Sequence, residues 1–238
     1  MQLGEAESET LATEIVRLWS GAPSTTVVLC PSQVALEKVG DILRGTSLVL
    51  GAQDAFWEDK GAFTGEISPK TLKELGCEFC IVGHSERRAQ LGETDAMVNK
   101  KVLALLRHGI IPIICVGETL AEREEGKRET VVTGQVRAAL AGVKLVGVQR
   151  IIIAYEPRWA IGHKAVASKD AAEMHRLIRE NVQLPKERCF VIYGGAVDAK
   201  NIVGFVAMPE IQGVLVGGAS LRAEEFVAIA KAAAKTQR

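Results

Sequence analysis

Short unbroken apolar runs alternate along this chain with longer segments in which apolar residues recur at helical spacing. The first segment, residues 5–20, places Leu11, Ile15, Val16 and Trp19 on one face and stops at Ser20-Gly21. A β-branched run over 25–30 follows, ending in Pro31-Ser32, then a helical segment over about 33–44 and an apolar run over 47–54. The alternation recurs: run 79–84 before a helix over 94–108, run 110–116 before a long helix over 120–141, and run 151–155 before a helix over 169–182 with Ser168 as N-cap. Runs 189–193 and 211–216 precede helices over 199–206 and 223–235. That gives seven strands and, with the seven helical segments placed above, an expected eight helices in all. No Pro-, Gly- or Ser-rich linker divides them, so residues 1–238 read as a single domain. Strand runs that are apolar throughout belong to parallel strands covered on both faces.

Repeated strand-helix units make either an open doubly wound sheet or a closed eight-fold barrel. Polar and glycine residues separate the two. They follow every strand: Pro31-Ser32, Gln53-Asp54, Gly83-His84-Ser85-Glu86, Gly117-Glu118, Glu156, Gly194-Gly195 and Gly217-Gly218. A site assembled from many strand ends is the habit of a (β/α)8 barrel, whereas an open sheet concentrates its site at one switch point. The barrel is the expected fold, with one strand unaccounted for.

Composition narrows the partners. The 29 basic and 29 acidic residues cancel, which gives no charge argument for nucleic acid or a membrane surface. No apolar run has the length of a membrane span, and no signal peptide precedes the first helix. The five cysteines are odd in number and lie mostly in or beside strand runs. Cys77 and Cys80 have metal or redox spacing, yet no second such pair accompanies them, so core thiols in a reducing cytoplasm are expected and no metal or cofactor is.

Candidate chemistry centres on residues 151–162, where a buried strand delivers Glu156 beneath an apolar loop that ends in Gly162. A carboxylate so placed fits a general base under a lid that excludes water. His84 ends another strand, before small and polar residues that can open a helix; the positive end of that helix would lower its pKa. A histidine that merely caps a turn fits equally well. Glu86, with Arg87 and Arg88, reads on its own as a solvated charge run. His108 and His175 fall within helices and read as surface or packing residues. Gly194-Gly195 and Gly217-Gly218 leave backbone N–H groups free to approach an anion, and the loops after a barrel's last two strands are a recurrent phosphate site.

Taken together, Gly-His-Ser-Glu-Arg-Arg at 83–88, Cys-Val-Gly-Glu at 115–118, Tyr-Glu-Pro-Arg-Trp-Ala-Ile-Gly at 155–162, Tyr-Gly-Gly at 193–195 and Val-Gly-Gly-Ala-Ser at 216–220 resemble triosephosphate isomerase. The likeness runs in order from the first helix to the last. It implies a TIM barrel acting on a triose phosphate, with Glu156 as base, His84 as neutral electrophile and Glu86 as a further carboxylate of the site. Gly162, Ala196, Gly217 and Gly218 would grip the phosphate. Residues 61–68 are similar to that family's protruding third loop, with Thr64 near the tip.

The sequence departs from the family pattern at several points. The family's first strand ends in Asn-x-Lys-Met, and the match here starts at that methionine, Met1; this implies a barrel lacking its first strand and its lysine, with activity much reduced. The Met1 α-amino group is a weak substitute charge for that lysine. Ala196 stands where the family has serine, and His163-Lys164-Ala165 where the lid has Thr-Gly-Lys. Unpaired edges at 25–30 and 211–216 imply either a homo-oligomer unlike the family's usual dimer or a destabilised barrel. A phosphate-binding or scaffold protein that has lost the chemistry is the alternative reading.

Overall fold

The computed structural model describes residues 2–22, 24–160 and 165–236. Among them are six strands, β1 (Val27–Leu29), β2 (Leu48–Ala52), β3 (Phe79–Val82), β4 (Ile111–Val116), β5 (Ile151–Tyr155) and β6 (Cys189–Tyr193). There are ten α-helices: α1 (Glu5–Leu18), α2 (Leu36–Leu43), α3 (Pro69–Glu74), α4 (Ser85–Gln90), α5 (Asp95–Arg107), α6 (Leu120–Glu124), α7 (Arg128–Ala139), α8 (Ser168–Asn181), α9 (Ile202–Val206) and α10 (Ala223–Thr236). The sheet is wholly parallel and its order, β1-β2-β3-β4-β5-β6, is the order of the sequence. No strand order reverses, so there is no switch point, and the sheet curls as a barrel wall does.

Six strands stand where seven were expected. Residues 211–216 do run parallel to β6, with Gln212 N donating to Val191 O (3.0 Å), Tyr193 N to Gly213 O (3.0 Å) and Leu215 N to Tyr193 O (2.8 Å). The segment forms only one bridge, Tyr193 with Val214. The Val191 N–H goes to the Gln212 side-chain oxygen (2.9 Å), so a side chain takes the place of a ladder carbonyl.

The helices differ as well: ten α-helices stand among the described residues where eight were expected. The expected helix over 120–141 is two, parted at Gly126, whose φ of +71° ends α6 in the left-handed region. Ser168 is the first residue of α8, and Ala167 holds the N-cap position with no side-chain bond. Helix α9 starts at Ile202, not 199, because Asp198 and Asn201 spend their side chains on a preceding turn.

Strand alternation sorts side chains to two sides. Ile151, Ile153 and Tyr155 of β5 join the large core between sheet and helices. Ile152 and Ala154 turn inward with Phe79, Ile81, Ile113, Cys115 and Ile192 as the barrel's interior cluster. Continuing the alternation sends Glu156 inward. Outside, the helical layer closes on itself, since α1 packs against both α2 and α10. The layer of strands does not close among the described residues, where β1 pairs with β2 and segment 211–216 with β6.

Candidate active site

The C-terminal ends of β4, β5 and β6 lie level, with Val116 opposite Tyr155 and Tyr155 opposite Tyr193. Beyond the strands the ladder continues for one residue: Glu156 N donates to Val116 O and Gly194 N to Tyr155 O, each at 2.8 Å. Gly117, Glu156 and Gly194 are thereby set side by side. A Cβ on Gly117 would lie 1.7 Å from the Glu156 carbonyl oxygen, so only glycine lets the Glu156 peptide lean over β4. Gln135 on α7 grips that glycine from outside, accepting from Gly117 N (2.7 Å) and donating to Gly117 O (3.3 Å). One on Gly194 would lie 2.9 Å from Glu156 Cγ, so the carboxylate's stem is held on that side too.

The Glu156 carboxylate is 1% exposed and reaches β3's end. Its Oε2 accepts from Ser85 N at 2.9 Å, using the first orphan N–H of α4. The second orphan, Glu86 N–H, donates to His84 Nδ1 at 3.4 Å, with His84 as the N-cap. An Nδ1 that accepts a backbone N–H carries no proton, which places the ring's proton on Nε2 in the neutral tautomer. That Nε2 lies 3.2 Å from Glu156 Oε1, off the line of a hydrogen bond, and Oε1 has no hydrogen-bond partner among the described residues. Oε2 is anchored, while Oε1 faces the His84 ring. Cys115 Sγ packs beneath Glu156; burial first, then the neighbouring carboxylate, raises its thiol well above the ordinary range.

The remaining sequence-predicted residues lie around this centre. Glu86 projects outward, 74% exposed at its side chain, with its carboxylate 3.9 Å from His84 Nδ1. Gly217 and Gly218 are exposed at a 3-10 turn, Gly218–Leu221, that leads into α10. Neither has positive φ, and a Cβ added at either would meet open space. Packing therefore does not require glycine there, and the bare backbone is left open to a ligand. Gly195 differs: its Cβ would lie 2.1 Å from the Tyr193 hydroxyl, which is a packing demand. Ala196 follows, its carbonyl accepting from Asn201 Nδ2 at 3.1 Å. Gly162 and Met1 lie outside the described residues, as do His163 and Lys164.

Two groupings were not found from the sequence, although Glu118 and Asp54 were named there as strand-end residues. Glu118, fully buried, accepts from the Tyr155 hydroxyl (3.2 Å) and from Trp159 Nε1 (2.9 Å). Its carbonyl takes Arg158 N (3.1 Å), and Arg123 lies over the Trp159 ring at 4.5 Å. These contacts pin the 3-10 turn Arg158–Ala160 that starts the loop after Glu156. Capping-box residues Thr119 and Glu122 start α6 and so deliver Arg123; that Thr-x-x-Glu signal was legible. The second group is a buried ionic cluster. Lys101 Nζ binds both Asp54 oxygens (2.7 and 2.8 Å) and Glu93 Oε1, and Arg87 adds Nη2 to Asp54 Oδ2 (2.8 Å). Burial still raises the Asp54 carboxyl above its usual range, against the pull of Lys101 and Arg87.

An inward carboxylate and a histidine at the ends of β5 and β3, on either side of β4 in a parallel barrel wall, are the arrangement of an acid-base enzyme of the barrel class. The triosephosphate isomerase family profile matches residues 1–233, and the chain belongs to that family. It is 46% identical over 235 residues to the triosephosphate isomerase of Thermoanaerobacter pseudethanolicus, covering 96% of this chain and 94% of that protein. It is 50% identical over 209 residues to that of a Roseiflexus species, covering 85% and 82%. The crystal structure of triosephosphate isomerase from Bartonella henselae superposes with a TM-score of 0.85 at 34% identity, over 98% of this chain and 95% of that one. The chain is thus an isomerase with a TIM-barrel-like α/β fold.

Proposed function

We propose that this chain interconverts glyceraldehyde 3-phosphate and dihydroxyacetone phosphate by moving a proton between neighbouring carbons through an enediolate. The observation that carries the reading is the pairing of a half-anchored Glu156 carboxylate with the His84 ring. Glu156 Oε1, which faces the His84 ring, takes the proton from one carbon and returns it to the other. His84 donates from Nε2 to the substrate oxygens, stabilising the charge that develops there. A Glu base with a neutral His electrophile is the arrangement for which this enzyme family is itself the standard worked case. Glu86 contributes its backbone N–H, which fixes the tautomer. The open backbone at Gly217 and Gly218, with Ala196 and Gly162, takes the phosphate.

Replacing Glu156 with Gln preserves shape and removes the base. The expected result is a kcat lower by about 10²–10⁴ with KM changed little. A folded Glu156→Gln enzyme that isomerises glyceraldehyde 3-phosphate at the parent rate sinks the assignment.

A homo-oligomer is part of the same proposal. The loop between β2 and α3 is closed at its base by Phe56 N to Ile67 O (2.9 Å) and stiffened by Phe56 packing on Trp57 and Phe63. Phe63 and Thr64 are exposed near its tip. The open edges of β1 and segment 211–216 add a second self-complementary surface. Light scattering that returns a monomer mass at every concentration counts against this part. Five free thiols and, among the described residues, no helix long and apolar enough to cross a membrane support a cytoplasmic location.

A further inference from the structure

The buried ionic cluster lies outside the proton-transfer pair, yet one of its members touches the backbone that presents His84. Strand β3 ends at Val82 and leaves the sheet through Gly83, whose φ of +72° only glycine adopts readily. Both polar groups of that glycine are held by side chains instead of by a neighbouring strand. Gly83 N donates to Glu93 Oε2 at 3.2 Å, and Gly83 O accepts from Arg88 Nε at 2.8 Å. Arg88 is itself fixed by Asp95 Oδ1 at 2.6 Å and reaches the Cys115 carbonyl at 3.4 Å. Glu93 is held on its other side by Lys101, which is 1% exposed, while Arg87 Nε lies 3.4 Å from Glu93 Oε2 at ion-pair distance.

Three charges, those of Lys101, Asp54 and Glu93, have been taken out of water at this spot with Arg87 at the rim, an arrangement that contributes little net stability compared with an apolar core of the same shape. What such a cluster supplies is geometry. Gly83 is in the left-handed region with the peptide before it held at its N–H by Glu93 and the peptide after it held at its carbonyl by Arg88, so the backbone that delivers the next residue is restrained on both sides. That residue is His84, whose Nε2 must meet Glu156 and the substrate together.

We propose that Glu93 is a positioning residue for His84, acting through the Gly83 peptide, with Lys101 and Arg87 as its counter-charges. The proposal rests on the role given to His84 above. Glu93 touches no substrate in this scheme.

The test uses the full chain with ¹⁵N-labelled histidine. The four histidines make the ring spectrum simple, and a His84→Asn sample assigns the signal. In the parent, His84 is expected to show a protonated Nε2 and an unprotonated, hydrogen-bonded Nδ1. In Glu93→Gln the carboxylate is lost at constant size. The expected results are averaging of that signal between tautomers and a kcat lower by about 10- to 100-fold, with KM within about two-fold, the signature of a misplaced group. Arg88→Lys loosens the clamp from the carbonyl side, keeps a charge for Asp95 and serves if Glu93→Gln does not fold. It should move the same signal. Glu93→Asp, with a carboxylate on a shorter stem, should fall between parent and Gln. A purely structural cluster would lower only the melting temperature. An unchanged His84 signal in a folded variant, measured well below its melting temperature, overturns the proposal. A moved signal with parent kcat upholds the clamp and counts against the catalytic role of His84 instead, so the two failures are distinguishable.

Discussion

His175 sits on the buried face of α8 with its ring edge-on to Tyr155, 6.2 Å between centroids. The Glu210 carbonyl lies 3.3 Å from Nδ1, and a carbonyl can only accept, so Nδ1 carries the proton. Nε2 is buried with no hydrogen-bond partner among the described residues. Charging the ring would place an imidazolium in an apolar pocket; burial, helped by Arg179 and opposed by Glu210, lowers its pKa to about 4. Unfolded, the same ring takes a proton below about 6.5. The unfolded state therefore binds the extra proton first, and the contribution of neutral His175 is complete above pH 6.5 and lost as pH falls towards 4. The loss is on the order of 3 kcal/mol. Urea unfolding at a series of pH values should show that decline, and His175→Leu should flatten it. A variant curve as steep as the parent's would remove His175 as the cause.

At the scale of the element, the turn Arg158–Ala160 owes its position to Glu118, a carboxylate on the next strand's loop. Trp159→Phe keeps an aromatic ring and deletes the indole donor to that charge, leaving the Tyr155 hydroxyl as its other donor, a loss of about 1.5–3 kcal/mol. We expect a fall in kcat/KM of roughly ten-fold or more; a change under about two-fold in steady-state assays would show the hinge to be held by other means. The same turn shows what was legible in the chain. Glu156, His84 and the glycine pairs announced themselves because each follows an apolar run, and a local pattern identifies a strand end. Glu118 follows a run just as clearly, but its partners Tyr155 and Trp159 are nearly 40 residues away in sequence, and no local pattern joins them. Glu93 and Lys101 are less legible still, since a lysine inside an amphipathic helix reads as a solvated charge until its burial is seen. The seventh strand was over-read for a related reason: apolar residues at 211–216 predict burial correctly, while Gln212 decides locally whether the ladder closes. Gly126 did carry the signal that splits the helix over 120–141, masked by the apolar spacing on either side.

At the scale of the whole molecule, the fold is two concentric layers that end differently. Among the described residues the strands run in order around a partial wall, with the His84 and Glu156 pair at the ends of β3 and β5, two strands inside the nearer edge. The pair is therefore backed on both sides by paired neighbours, β2 and β4 for His84, β4 and β6 for Glu156. The helical layer, by contrast, is continuous across the opening because α1 lies against α10.

That last contact bears on how the molecule comes apart. It joins the segments most distant along the chain, so its loop-closure entropy is the largest in the fold and no nearby pairing prepares it. The α1–α10 seam should then close late in folding and open early in unfolding, as a cooperative unit weaker than the strands of the central wall. Native-state hydrogen exchange should find the amides of α1 and α10 exchanging together at lower protection than those of β4 and β5. Equal protection in all four would mean that the barrel, open in its inner layer, nonetheless breathes as one piece.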